Sequence, residues 1–187
     1  MRQTLVLLAA LLRLSLTATA QDPFANFGST DPKVSGKAVL SPNPAEPGQV
    51  VTLTVTLTIQ GKYHVYGSAN DPQMGLPIAL EIDELGGLEM VGDPGIPPGE
   101  PHEAFGLTTH WLMSGAKLTQ TLKVPDDAAG GEFTIKGRLI YSPCDDQACY
   151  DEEEASFEAA GTIQAENLED VSITTRVEPV TARPGEI

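Results

Sequence analysis

Val51-Thr52-Leu53-Thr54-Val55-Thr56-Leu57-Thr58-Ile59 alternates apolar side chains with threonines without interruption. Successive side chains of a strand point to opposite faces, so this segment presents one apolar face and one hydroxylated face. A single buried face is the mark of an antiparallel sheet with one solvated side, since parallel strands are usually apolar on both faces. Threonine suits the solvated side because its branched Cβ fits the pleat.

Working outward, the turn-forming SPNPAEPGQ precedes the strand, and Ala38-Val39-Leu40 lies before that. On the other side Gln60-Gly61-Lys62 turns the chain into Tyr63-His64-Val65-Tyr66, a short strand that sets His64 and Tyr66 on one face. Further strands are predicted over residues 77–82, 87–91, 117–124, 132–141 and 156–164. Turn signals such as Asp71-Pro72, Gly86-Gly87 and Gly130-Gly131 separate them. The segment Gly92 to Pro101 (GDPGIPPGEP) is expected to be a long loop that delivers His102-Glu103-Ala104-Phe105-Gly106. No helical periodicity of convincing length occurs. Seven to nine strands at this spacing predict an all-β fold, an immunoglobulin-like antiparallel β-sandwich.

Arg2, the apolar run from Leu5 to Leu12 and Ala18-Thr19-Ala20 read as a cleavable secretory signal over residues 1–20. That run is too short for a membrane span. Residues 21–37, rich in Gly, Pro, Asp and Ser, read as a flexible leader, and residues 38–164 as the domain. Without Arg2 and Arg13 the chain keeps nine Lys and Arg against 26 Asp and Glu, a formal charge of −17. Such a balance argues against nucleic acid and against anionic membrane surfaces as partners.

The only two cysteines lie in Tyr141-Ser142-Pro143-Cys144-Asp145-Asp146-Gln147-Ala148-Cys149-Tyr150, at the exit of the strand in which Phe133, Ile135, Gly137, Leu139 and Tyr141 alternate with Thr134, Lys136 and Arg138. Residues so close on one turn reach disulfide distance without remodelling anything else. A bridge over about six residues contributes roughly 2 kcal/mol by loop entropy, and a domain of this size has a core without it. Oxidation is nevertheless the default fate of neighbouring cysteines in an exported protein, so a structural bridge and a redox pair both stand on the residues alone.

The YSPC…CY segment, the HEAFG stretch and the Tyr63-His64-Val65-Tyr66 strand resemble the amino-terminal periplasmic domain of the thiol:disulfide interchange protein DsbD, over residues 39–164. That resemblance implies a periplasmic module, connected with cytochrome c biogenesis, that uses no cofactor. It also implies a Cys144/Cys149 dithiol exchanging electrons with thioredoxin-like proteins and with a membrane-embedded donor. It makes Cys149 the cysteine of mixed disulfides and Cys144 the resolving one. Phe105 corresponds to an aromatic cap with Glu103 beside it, and His64 and Tyr66 to the floor of the site. Where the family often has prolines after the second cysteine, this chain has Asp151-Glu152-Glu153-Glu154.

Asp145, Asp146 and residues 151–154 are expected to surround the pair with carboxylates, which raise a thiol pKa. His64, His102 and His110 beside two cysteines match no common zinc spacing. Trp111 and Met113 are expected in the sandwich core. Finally, LSPNPAEPGQV at residues 40–50 is echoed by VEPVTARPGEI at residues 177–187. The echo predicts that residues 165–187 form an extended tail leading into a second similar domain. Nothing after residue 20 is long and apolar enough to insert in a membrane, so the electron donor is expected in another chain or in further sequence.

Overall fold

In the computed structural model the threonine-alternating segment is a strand whose apolar face is sealed. Val51, Leu53, Val55, Leu57 and Ile59 are all buried, with Leu53 and Val55 fully so. Each such side chain contributes about 1.5–3 kcal/mol by leaving water. The structure describes residues 32–104 and 106–164. The expected signal, most of the leader and the tail from residue 165 lie outside them.

Ten strands occur among these residues, and no helix. In chain order they are β1 (Val34–Ser41), β2 (Val50–Ile59), β3 (Val65–Tyr66), β4 (Ala79–Glu84), β5 (Glu89–Gly95), β6 (Glu100–Ala104), β7 (Leu107–Leu112), β8 (Lys117–Lys123), β9 (Gly131–Tyr141) and β10 (Glu153–Ile163). They form three antiparallel sheets in the orders β1-β2-β8-β5, β10-β9-β4 and β3-β7-β6. The antiparallel all-β class predicted from the alternation is the class observed.

The first two sheets share one core, in which the apolar face of β2 packs with Leu118 and Leu122 of β8, Ile135 and Leu139 of β9 and Phe157 of β10. Gly36 of β1 marks a close approach. A Cβ there would lie 2.6 Å from Val55 Cγ1 and 2.9 Å from Leu139 Cδ1. Only a residue without a side chain lets β1 run between those two core residues. At the end of β9 the Tyr141 hydroxyl accepts from Val34 N at 3.3 Å and shares its proton between Val34 O and Glu153 Oε2. Lys33 pairs with the same Glu153.

Three expectations need correction. β1 begins at Val34, inside the stretch read as leader, because pairing Val34 with Ile59 extends the sheet over a residue that is fully buried. The supposed loop after Val91 is largely strand. β5 runs on through Gly92 and Pro94, and β6 starts at Glu100. Proline is tolerated there because β5 is an edge strand, where a missing N–H removes no ladder bond, and Gly92, at φ 68°, sits in the register shift between Val91 and Gly95. His102, Glu103 and Ala104 are therefore the end of β6, paired with Thr109, Thr108 and Leu107 of β7.

Burial pushes the Tyr141 phenol up to about 12 from 10, with the Glu153 carboxylate adding to the rise and the Val34 hydrogen bond opposing it. The unfolded chain then ionises near pH 10 while the folded chain still holds its proton. Stability present below pH 10 is expected to fall as the pH rises from 10 to 12. Denaturant titrations of wild type and Tyr141→Phe across that range check this. The variant should lose about 0.5–1.5 kcal/mol at neutral pH and show a flatter alkaline decline.

Candidate functional site

After Tyr141 the chain leaves the β9–β10 ladder and makes a narrow hairpin of its own. Asp145 N donates to Ala148 O and Tyr150 N to Pro143 O, both at 2.9 Å, with Asp146 and Gln147 at the tip. Between those two bonds Cys144 and Cys149 face each other as a non-hydrogen-bonded pair, their Cα atoms 4.0 Å apart. Such pairs are the closer of the two kinds in an antiparallel ladder, which brings the sulfurs together. They form a disulfide. On its other side Cys144 exchanges two backbone hydrogen bonds with His64, each 2.9 Å.

The two sulfurs differ in access. Cys144 is 1% exposed, whereas Cys149 is exposed. The Tyr66 hydroxyl lies 3.5 Å from Cys149 Sγ and is the donor, because a disulfide sulfur carries no proton. Burial holds the Tyr66 phenol above its ordinary pKa, so it keeps that proton. Cys149 lines a cleft of about 460 Å³ with His64, Tyr66, His102, Trp111 and Asp146. A larger groove of about 700 Å³ runs past Gly36, Lys136 and Phe157, but it contains no sulfur and none of the residues of this cleft.

Across the cleft the rings of His64, of Trp111 on β7 and of His102 on β6 stand in a row. Tyr66 pairs with Trp111, Glu100 with Trp111 and His102 with Thr109, so His64, Trp111 and His102 rise from one face of the sheet. His64 stacks on the indole at 3.6 Å and 12° between planes, and His102 stacks on it at 3.6 Å and 21°. Two rings that near one centroid occupy opposite faces of the indole. Burial is graded along the row: His64 is 2% exposed, Trp111 half-buried and His102 exposed. His64 Nε2 is buried without a hydrogen-bond partner.

Tyr66 is held from behind by the turn after β3. Gly75 lies flat against its ring, where a Cβ would sit 2.1 Å from Cε2, at φ 140°. The buried Asn70 fixes that turn, accepting from His110 N at 2.9 Å and donating to Gly75 O at 2.8 Å.

The carboxylate field is weaker than a count of acids implies. Asp145 turns inward. Its Oδ1 accepts from Gln147 N and Ala148 N at 2.9 and 3.0 Å, and its Oδ2 accepts from the Tyr150 hydroxyl at 2.9 Å and pairs with Lys62. The Lys62 ammonium, with those amides and the phenol, holds its carboxyl well below the usual range. Glu153 is paired with Lys33, and Glu154 lies 3.8 Å from Arg138 Nε. Asp146, Asp151 and Glu152 remain exposed.

No family model matches the chain, and no curated protein matches it in sequence. Among solved structures its fold is similar to the N-terminal periplasmic domain of ScsB from Proteus mirabilis. The identity is 13% and the TM-score 0.43, over 67% of this chain and 44% of that one, so the chain spans less than half of the ScsB structure. The DsbD N-terminal domain of Neisseria meningitidis, in the reduced form, is 20% identical at a TM-score of 0.36, over 70% of this chain and 86% of that one. AvmM, described as catalysing macrocyclization in alchivemycin A biosynthesis, is 10% identical at 0.36, over 70% and 88%. These are likenesses of fold.

Of the residues expected at the site, Cys144, Cys149, His64 and Tyr66 come together around one cleft. Glu103 is exposed on β6 opposite Thr108 and does not line it. Phe105 lies outside the described residues. Trp111, expected in the core, is instead the middle ring of the row, because β7 carries it on the face shared with His64. Met113 is likewise out of the core, at 47% exposed. Sequence reasoning missed β7, whose burial follows no clean alternation, and with it the part played by Trp111 and His102.

Burial, above all, lowers the His64 pKa from 6.5, with the charge of His102 acting in the same direction and Asp146 and Asp145 opposing. Unfolded chains therefore take up this proton before folded ones. The stability is present above pH 6.5 and is lost as the pH falls below it. Trp111→Ala should uncover the imidazole and return its titration toward 6.5, followed by NMR; an unmoved titration would mean that the indole does not shield it.

Proposed function

We propose that this domain is a thiol:disulfide interchange module that works through the Cys144/Cys149 pair in an exported, periplasmic setting. The observation that carries this reading is the asymmetry of the pair: Cys144 is sealed in, while Cys149 is exposed at a cleft with a tyrosine hydroxyl on its sulfur. A bridge that merely pins a turn has no use for a cleft beside one sulfur.

In the reducing direction the Cys149 thiolate attacks a partner's disulfide and expels one partner sulfur as thiolate. Cys144, as thiolate, then displaces the second partner sulfur from Cys149 and closes the intramolecular bridge. Two electrons pass to the partner, and the two protons given up by the cysteines end on its two sulfurs. Tyr66 donates to the Cys149 thiolate before it attacks, and His64 forms the floor. Phe105, with Glu103 beside it, is assigned the cap. The partners fitting this chemistry are thioredoxin-like proteins, with a membrane-embedded donor as the source of electrons.

The test is a titration against glutathione and dithiothreitol buffers, with reduced and oxidised forms separated after alkylation. Structural bridges in secreted proteins lie below about −300 mV, and interchange pairs lie above. A bridge that glutathione never opens would sink the interchange reading in favour of an immunoglobulin-like binding domain with a structural disulfide. Cys144→Ala should trap a mixed disulfide through Cys149 with a thioredoxin-like partner, while Cys149→Ala should trap little; the opposite pattern reverses the roles. Phe105→Ala should speed alkylation of the reduced pair, and an unchanged rate removes the cap.

A further inference from the structure

We propose that Asp145 is a positioning residue that keeps Cys144 and Cys149 at closing distance after the bond between them has been opened. The inference deepens the interchange reading and rests on it. Its basis is the bonding of one carboxylate whose side chain is 1% exposed. Oδ1 gathers the two amide N–H groups of the tip, Gln147 and Ala148, and Oδ2 gathers the phenol of Tyr150 and the ammonium of Lys62. Tyr150 follows Cys149 directly, and Asp145 follows Cys144 directly, so each arm of the hairpin is held one residue beyond its cysteine. Outside this knot, Tyr150 packs edge-on against Tyr63, the residue before His64, at 5.7 Å.

None of these bonds passes through sulfur, and all can persist in the dithiol. Hydrogen bonds to an ionised acceptor are about twice as strong as neutral ones, and the carboxylate that accepts them is itself shielded from water. A short turn freed of its disulfide would otherwise regain the conformational freedom that the covalent bond removes. The carboxylate and the disulfide thus support one another. In the oxidised form the turn is already ordered, so the carboxylate's bonds form at little entropic cost; in the dithiol they must order the turn themselves. By linkage, removing the carboxylate weakens the oxidised form more than the reduced one and makes the bridge easier to open.

The reaction that reads this is Cys144–S–S–Cys149 plus two glutathione thiols giving the dithiol plus glutathione disulfide. Wild type, Asp145→Asn and Lys62→Met are brought to equilibrium in the same glutathione buffers. The reduction constant of Asp145→Asn should rise about tenfold, which is about 30 mV for a two-electron couple. Lys62→Met should move the same way by less, since the Lys62 side chain is 64% exposed. That exposure also makes it the variant that folds normally should Asp145→Asn not. In the wild-type dithiol, the amide protons of Gln147 and Ala148 should exchange with solvent slowly, and in Asp145→Asn quickly. Reduction constants unchanged in the folded variants, a shift toward a harder-to-open bridge, or fast exchange of both amides in the wild-type dithiol would each overturn the proposal. Should only dithiothreitol open the wild-type bridge, the interchange reading fails, while the ordering of the three proteins is read in that buffer and still decides the role of Asp145.

Discussion

Two backbone hydrogen bonds between His64 and Cys144 decide where everything around the sulfurs goes. They fasten the entry of β3, and through it the β3-β7-β6 sheet, to the chain just past the end of β9. One edge of the Cys144 backbone is spent on that junction, and the other faces Cys149. The same junction sets the aromatic row beside the hairpin, because His64 is both the bonded residue and the innermost ring. Chemistry at Cys149 is thus framed by a rigid sheet on one flank and by a turn with its own polar fastening on the other.

The scaffold was legible wherever one face of a strand meets the core and the other meets water. β2, β8, β9 and β10 all alternate cleanly, and their burial follows the sequence residue by residue. Where a strand carries the site or runs along the interrupted edge, the pattern dissolves. β7 holds Trp111 for its neighbours' rings rather than for the core, and β5 is exposed almost throughout. Proline and glycine at residues 92–101 signalled a loop correctly only in the middle, because an edge strand forgives what a central strand does not.

The site was half legible. Two cysteines on one turn announce themselves, and the period-two rule placed His64 and Tyr66 on one face. Neither the partner of Tyr66 nor the inward turn of Asp145 follows from spacing. A run of acids looks alike in sequence whether its members face water or fold back onto a lysine, and Asp145 does the second while Asp146, its neighbour, does the first. The electrostatics at a thiol are set by that choice more than by the number of carboxylates nearby.

The interrupted edge of the large sheet bears on how such a protein survives at high concentration. An open edge strand invites other chains to add to it, and long, flat, apolar edges are where sheets grow into aggregates. β5 carries Met90 and Val91, 48% and 45% exposed, on that edge, and the register breaks immediately after them. Pro94 offers no N–H to an incoming strand, and Gly92 bends the ribbon away from the straight course that a neighbour would need. That edge is thereby a poor template for an added strand.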